Sequence, residues 1–334
     1  MNRFEEDQVV QENQARPAGD GIDRRNFLGC MAWAGTGLLW TMSGGVPASR
    51  LLAQGMKNGG GAGVGKAEDF SFVQISDSHI GFNKGANPDV TGTLQKAIDR
   101  INVVPAGMKL PDFLIHTGDI TQNSKAAEFD TAAQVIKSAK VGEVFYVPGE
   151  HDFSLDDGAL YKQRFGKGTL GNGWYSYNHK GVHFVGLNNC VQVDAMGNLG
   201  AEQLAWMKAD LAGLSASTPI VVFAHIPLWM VYEKWGWGTA DGAQALALLK
   251  RFGSVTVLNG HIHQVVQKVE GKVAFHTAMS TAFPQAAPGA PGASPGPMAV
   301  PAGKLQSVLG VTRVKVVRGH SHLAVVDHTL AEGV

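Results

Sequence analysis

An α/β fold is predicted for this chain by three observations. Short apolar runs alternate with longer segments of helical period, turn-forming residues separate the two, and histidines and carboxylates gather just after the apolar runs. The 334 residues are 44% hydrophobic and 17% charged, an ordinary globular composition. The 28 basic and 28 acidic residues cancel, which leaves no electrostatic footprint for nucleic acid or for an anionic membrane.

The chain opens with a segment that is not part of that alternation. Asp23-Arg24-Arg25-Asn26-Phe27-Leu28 leads into a moderately apolar stretch over 27–42, followed by Gly44, Gly45, Pro47 and Ala48. This resembles a twin-arginine export signal over residues 1–48, with cleavage after Ala48. It implies the twin-arginine export machinery as a partner and a periplasmic or otherwise exported location. The stretch is short against the roughly 20 residues that a membrane helix needs, and it contains Gly29, Gly35 and Gly37, so no integral membrane span is expected in the mature form. Removal of Cys30 with the signal leaves Cys190 without an intramolecular disulfide partner. Residues 49–67 read as a glycine-rich linker, and residues 68–334 as the folded domain.

Within that domain the elements follow in order. Strands are expected over 70–75, 113–115 and 144–147, with helices over 90–104 and 124–139 between them; Ser124 followed by Glu128 marks the start of the second helix. A strand pair over 174–177 and 182–187, a helix over 201–214, a strand over 220–223, a helix over 243–252 and a strand over 255–258 continue the series. A hairpin over 265–276 turns at Glu270-Gly271, a proline, glycine and alanine tract spans 285–303, and two strands over 308–317 and 322–326 close the chain. Strand order is expected to be mixed.

The polar motifs fall where open α/β sheets collect ligands, beyond the carboxyl ends of strands. They are Asp77-Ser78-His79, Gly118-Asp119, Gly149-Glu150-His151-Asp152, Ala224-His225 and Gly260-His261-Ile262-His263. Carboxylate and imidazole without thiolate suit Mn, Fe, Zn, Co or Ni better than a structural zinc-thiolate site or an all-oxygen calcium site. The Asp-x-His and His-x-His spacings place both members of each pair on one side of an extended segment. The glycines serve tight turns after strands.

This set of motifs, over 70–263, resembles the calcineurin-like metallophosphoesterase superfamily, in particular its cyclic-nucleotide phosphodiesterase-like branch. Gln74-Ile75-Ser76-Asp77-Ser78-His79 and Gly260-His261-Ile262-His263 carry the second part of that resemblance. Gln122 stands where the purple acid phosphatase branch would have its ligand tyrosine. The resemblance implies a four-layer α/β/β/α sandwich of two mixed sheets and two divalent or trivalent transition metals, Mn, Fe or Zn. Asp77, His79, Asp119 and His263 would hold one metal; Asp119, Glu150, His225 and His261 would hold the other. His151 would serve catalysis beside the leaving group, with Asp152 orienting it through a hydrogen bond. Asn123 would contact substrate phosphate or cap the following helix.

Position 150 departs from the family, which usually has asparagine there. The extra carboxylate strengthens attachment of the second metal while reducing its power as a Lewis acid, or, one methylene longer, pushes that metal aside. Three functions follow: an exported phosphoesterase acting on a phosphodiester or phosphomonoester substrate, a metal-binding protein with weak or no hydrolysis, and a phosphohydrolase of lipid-linked or envelope substrates. For the last, Trp229, Tyr232, Trp235 and Trp237 would form an aromatic wall. The tract over 285–303 is read as an inert loop, the alternative being a lid over the site. His116, His179, His183, His276, His320, His322 and His328 are read as ordinary core or surface residues.

Overall fold

The structure is a computed structural model that describes residues 39–43, 46–50, 68–104, 107, 109–191, 196–317, 319–320 and 323–331. The chain divides into a unit over Met1–Met56 and a second over Lys57–Val334. In the first, strands β1 (Leu39–Ser43) and β2 (Val46–Arg50) pair antiparallel. Arg24 and Arg25 of the expected export signal, residues 51–67 of the expected linker, and His322 lie outside the described residues.

The second unit runs β3 (Phe70–Ile75), α1 (Val90–Asn102), β4 (Phe113–Thr117), α2 (Ala126–Ile136), β5 (Glu143–Val147), α3 (Ala159–Phe165), β6 (Tyr175–His179), β7 (Val182–Gly186), α4 (Gly200–Ala212), β8 (Ile220–Phe223), α5 (Gly242–Leu249), β9 (Val255–Asn259), β10 (Gln267–Glu270), β11 (Val273–Thr277), β12 (Gly310–Val316) and β13 (Ala324–Thr329). One sheet has the order β13-β12-β3-β4-β5 and the other β10-β11-β9-β8-β7-β6. In the first, β3, β4 and β5 are parallel and β12 and β13 antiparallel; in the second, β7, β8, β9 and β11 are parallel and the two edge strands antiparallel. Both sheets are therefore mixed, as expected.

Three apolar interfaces separate four layers. Phe72, Phe113 and Ile115 of the first sheet meet Phe184, Val221, Phe223 and Leu258 of the second between the sheets. Phe72 and Phe113 stack at 5.0 Å, and truncating a ring buried in this way costs about 3–5 kcal/mol. The outer face of the first sheet takes Leu94, Ile98 and Ile101 of α1 and Phe129, Ala132 and Ile136 of α2. The outer face of the second takes Met207 and Leu211 of α4 and Ala245 and Leu249 of α5. The internal strands are buried on both faces, which is why they read as unbroken apolar runs and not as alternating ones.

Local signals fix the helix limits. Asp89 Oδ1 accepts from Gly92 N–H at 2.8 Å at the start of α1, and Arg313 Nη2 donates to the carbonyls of Arg100, Ile101 and Val103 at its end. Helix α2 begins at Ala126, two residues past the sequence expectation, where the Glu128 carboxylate accepts from the backbone N–H groups of Asn123 and Lys125. Helix α3, seven residues long and entered through a left-handed Gly158, has no counterpart in the sequence reading because it is too short to show a helical period. Among the described residues, no helix is long and apolar enough to cross a membrane.

Candidate metal centre

β3, β4, β5, β8 and β9 deliver their following loops to one edge of the two sheets, and Asp77, His79, Asp119, Glu150, His225, His261 and His263 converge there. His263 Nε2 lies 3.2 Å from Asp77 Oδ1 and 3.2 Å from His79 Nε2, and His79 Nε2 lies 3.5 Å from Asp119 Oδ2. His225 Nε2 lies 3.3 Å from Asp119 Oδ2 and 3.0 Å from Glu150 Oε2, while His261 Nδ1 lies 2.9 Å from Glu150 Oε1. The donor atoms form overlapping groups, Asp77–His79–His263 and Glu150–His225–His261 among them, with Asp119 close to both His79 and His225.

The backbone that achieves this is not extended. Asp77, His79, Asp119, His261 and His263 have φ of 55°, 42°, 50°, 69° and 54°, in the left-handed region that costs an L-residue about 1–2 kcal/mol. The two members of each pair are therefore not brought to one side by extended backbone, as their spacing predicts; tight left-handed loops aim these side chains. The strain persists because the loops are tied together. Asp77 N–H donates to Gly118 O and His79 N–H to Asp119 O, both at 2.9 Å, and His261 N–H donates to Asp77 Oδ1 at 3.1 Å. Gly149 and Gly260 reflect the same crowding, since a Cβ on either would collide with Asp119 Oδ1 or with Ser76 Oγ. Both stand where loops touch, a different reason for glycine from the turn argument.

The donors fit a metal. Imidazole nitrogens and carboxylate oxygens bound at 2.0–2.2 Å around a tetrahedral ion sit about 3.3 Å apart, which matches the 2.9–3.5 Å separations above. His225 Nε2 and both ring nitrogens of His261 are buried and, despite these short approaches, make no hydrogen bond of proper geometry. His225 Nδ1–H donates to Thr117 O at 2.7 Å and His263 Nδ1–H to Phe283 O at 2.6 Å, which turns each Nε2 toward the cluster.

Electrostatics agree. Burial alone would raise the carboxyl groups of Asp77, Asp119 and Glu150, but surrounding imidazoles hold all three below their ordinary range; His263 is the main one for Asp77, His225 for Asp119 and His261 for Glu150. Burial pushes His79 down to about 3, keeping it a neutral donor. Burial opposes protonation of His225, but Asp119 and Glu150 drive it well up, and an entering cation would replace that proton.

His151 stands at the mouth, its ring 4.9 Å from that of His79. Its orientation differs from the expectation. Asp152 is wholly buried and accepts from Ile120 N–H, Thr121 N–H, Thr121 Oγ1–H and Gly149 N–H at 2.9–3.1 Å, so it binds the β4 and β5 loops to each other. The group that holds His151 Nδ1–H is Gln122 O, at 2.8 Å. Burial resists protonation of His151, but Asp119 and Glu150 raise its pKa above the ordinary value. The Asn123 amide donates to Glu128 Oε1 at 2.9 Å, at the entrance to α2.

Several supporting residues carry no motif. Phe283 packs its ring against His79 and His263 at 4.7 and 4.9 Å, Ser280 Oγ–H donates to Asp77 O, and Thr281 Oγ1–H donates to Ser78 Oγ. Gln285 Nε2 donates to His261 O at 3.0 Å, which ties the start of the proline and glycine tract to the metal loop. Of the aromatic cluster after His225, Trp229 packs on Phe275 and Trp237 is buried, leaving Tyr232 and Trp235 partly exposed. His116 is buried, bonded to Ser78 Oγ at 2.8 Å.

Comparison with known proteins agrees with this geometry. The calcineurin-like phosphoesterase family matches residues 70–265. The chain is 26% identical over 218 residues to a probable glycerophosphodiester phosphodiesterase of Arcobacter nitrofigilis, covering 60% of this chain and 74% of that protein. It is 26% identical over 206 residues to a probable cyclic nucleotide phosphodiesterase of Vesicomyosocius okutanii, covering 60% and 81%. Among solved structures, a dimetal phosphatase from Danio rerio shares the fold with a TM-score of 0.55 at 16% identity, covering 78% of this chain and 99% of that one. With the family matched over more than half of its length, the chain belongs to the calcineurin-like phosphoesterases, hydrolases of phosphoric esters.

Proposed function

We propose that this chain is an exported, metal-dependent phosphodiesterase whose seven strand-end ligands form a two-metal centre. The observation that carries the reading is the sharing of Asp119 between two donor groups, with His151 beside them. Two Mn, Fe or Zn ions held there would supply Lewis acidity toward a phosphoryl oxygen and activation of water near neutral pH. A diester is placed before a monoester because the relatives described above are named for diester hydrolysis.

The chain's own residues do the remaining work. Gln122 O fixes the His151 tautomer with the proton on Nδ1, so Nε2 is the nitrogen available to substrate. His151, its ring 4.9 Å from that of His79 at the mouth of the cluster, presents Nε2 to donate a proton to the leaving oxygen as the phosphorus–oxygen bond breaks. Asp152 keeps the β4 and β5 loops in contact, which holds His151 N–H on Asp119 Oδ1 at 3.0 Å and thereby fixes His151 beside the donor cluster.

Hydrolysis of bis(p-nitrophenyl) phosphate and p-nitrophenyl phosphate by the purified chain tests this. Metal-dependent turnover that favours the diester and disappears with chelator supports it. Absence of turnover on both reporters, with metal bound, would favour the metal-binding reading instead. Export rests on the Arg24-Arg25 sequence. Retention of an Arg24→Lys, Arg25→Lys chain inside the cell, with wild type exported, is the expected outcome.

A further inference from the structure

Glu150 makes the two halves of the centre alike. On one side stand Asp77, His79 and His263; on the other stand Glu150, His225 and His261; Asp119 lies between them. Each half thus has one carboxylate of its own, two imidazoles and access to the shared carboxylate of Asp119. With asparagine at position 150, the second half would lack a carboxylate of its own and hold its ion mainly through neutral donors.

The side chain is placed to act as a ligand despite its extra methylene. Oε1 approaches His261 and Oε2 approaches His225, at 2.9 and 3.0 Å, so the carboxylate spans the gap between the two rings. Its backbone has no freedom to carry it elsewhere. Glu150 opens a short 3-10 turn, Glu150–Asp152, whose end is fixed by four hydrogen bonds to Asp152 and whose middle is fixed by His151 N–H on Asp119. Gly149 packs directly on Asp119. The added length is taken up toward the mouth, where Glu150 keeps 26% of its side chain exposed, while Asp77 in the other half has none.

On the reading of this chain as a two-metal phosphoesterase, we propose that Glu150 equalises the half-sites, so that the chain retains two ions of one kind with closely similar affinities. An anionic oxygen that is largely shielded from water attracts a dication much more strongly than a neutral amide oxygen does. Loss of that charge is therefore expected to cost at least about a hundredfold in affinity, beyond the 10–100-fold typical of an outer-shell partner.

Calorimetric titration of the metal-free chain with zinc and with manganese, paired with elemental analysis after gel filtration, reads the two ions separately. Wild type is expected to bind two ions within about tenfold of each other. Glu150→Gln, which keeps the length and removes the charge, and Glu150→Asn are expected to keep one ion and to weaken the other at least a hundredfold. Asp77→Asn is expected to weaken the opposite ion. A wild-type chain that binds one ion a hundredfold more weakly than the other, or Glu150 variants that still hold two equally, would overturn the proposal. Should the Gln variant fail to fold, the wild-type ratio decides alone. Turnover of the diester reporter is read in parallel: two equal ions without turnover contradict the phosphoesterase reading and support the equalised half-sites, and turnover with unequal ions does the reverse.

Discussion

Imidazole and carboxylate meet in two regions of this molecule with opposite consequences. Within the sheets, His179 meets Asp112 and His183 meets Asp210 at 2.8 Å, and His276 meets Asp327 at 3.0 Å. Those of His183 and His276 have both ring nitrogens partnered, His183 Nδ1 with Asn178 Oδ1 and His276 Nδ1 with Gln267 Nε2, and all three histidines lie on regular strands. At the strand ends, five of the seven, Asp77, His79, Asp119, His261 and His263, stand on left-handed backbone, and His79 Nδ1, His225 Nε2 and both nitrogens of His261 are left without a hydrogen bond. Proximity of histidine to carboxylate therefore does not mark a metal site. What sets the candidate site apart is its unsatisfied buried nitrogens beside strained backbone, an arrangement that folding maintains against its cost only where further contacts enforce it.

The sharpest way to separate the two regions is to remove one carboxylate from each. Asp119→Asn, which strikes both donor groups, is expected to lower metal content well below two per chain and kcat/KM at least about a thousandfold, roughly 4 kcal/mol of transition-state stabilisation. Asp210→Asn should leave metal content and turnover unchanged and cost about 1–3 kcal/mol of stability in a denaturant titration, through the weakened contacts to His183 and Ser176. Metal loss in Asp210→Asn would erase the distinction.

A second comparison lies within the strand-end region itself. His151→Ala is expected to lower kcat about 10²–10⁴-fold while both ions stay bound, and the loss should shrink on esters with better leaving groups, as a proton donor requires. An equal loss on all leaving groups would give His151 a binding role.

The smallest effect belongs to the sheet region. Burial works to raise the Asp112 carboxyl, but Lys180 and His179 hold it below its ordinary value of 3.8. Its folded pKa is thus below its unfolded one, so its contribution to stability is present above pH 3.8 and is lost as pH falls through the folded value. Thermal unfolding of wild type and Asp112→Asn should differ slightly at neutral pH and converge in acid.

The sequence made one part of this legible and hid another for a physical reason. The strand and helix alternation and all seven donors could be read because six of them follow apolar runs that the sheets bury on both faces, and Glu150 follows the apolar but partly exposed edge strand β5. The loop conformation could not, since the left-handed values at Asp77 and His79 arise from pairing with Gly118 and Asp119 of another loop. Thr281 and Ser280 reach back 203 residues to the Asp77 loop, a contact with no local signature. Asp152 was legible as important but not for its task, because adjacency to His151 suggested a hydrogen bond that Gln122 O makes instead.

Anomalous diffraction from crystals grown with manganese would locate the ions themselves. Two peaks about 3.5–4 Å apart are expected, one in reach of Asp77, His79 and His263, the other in reach of Glu150, His225 and His261, with Asp119 between them. A single peak, or peaks at the His183–Asp210 or His276–Asp327 pairs, would contradict that arrangement.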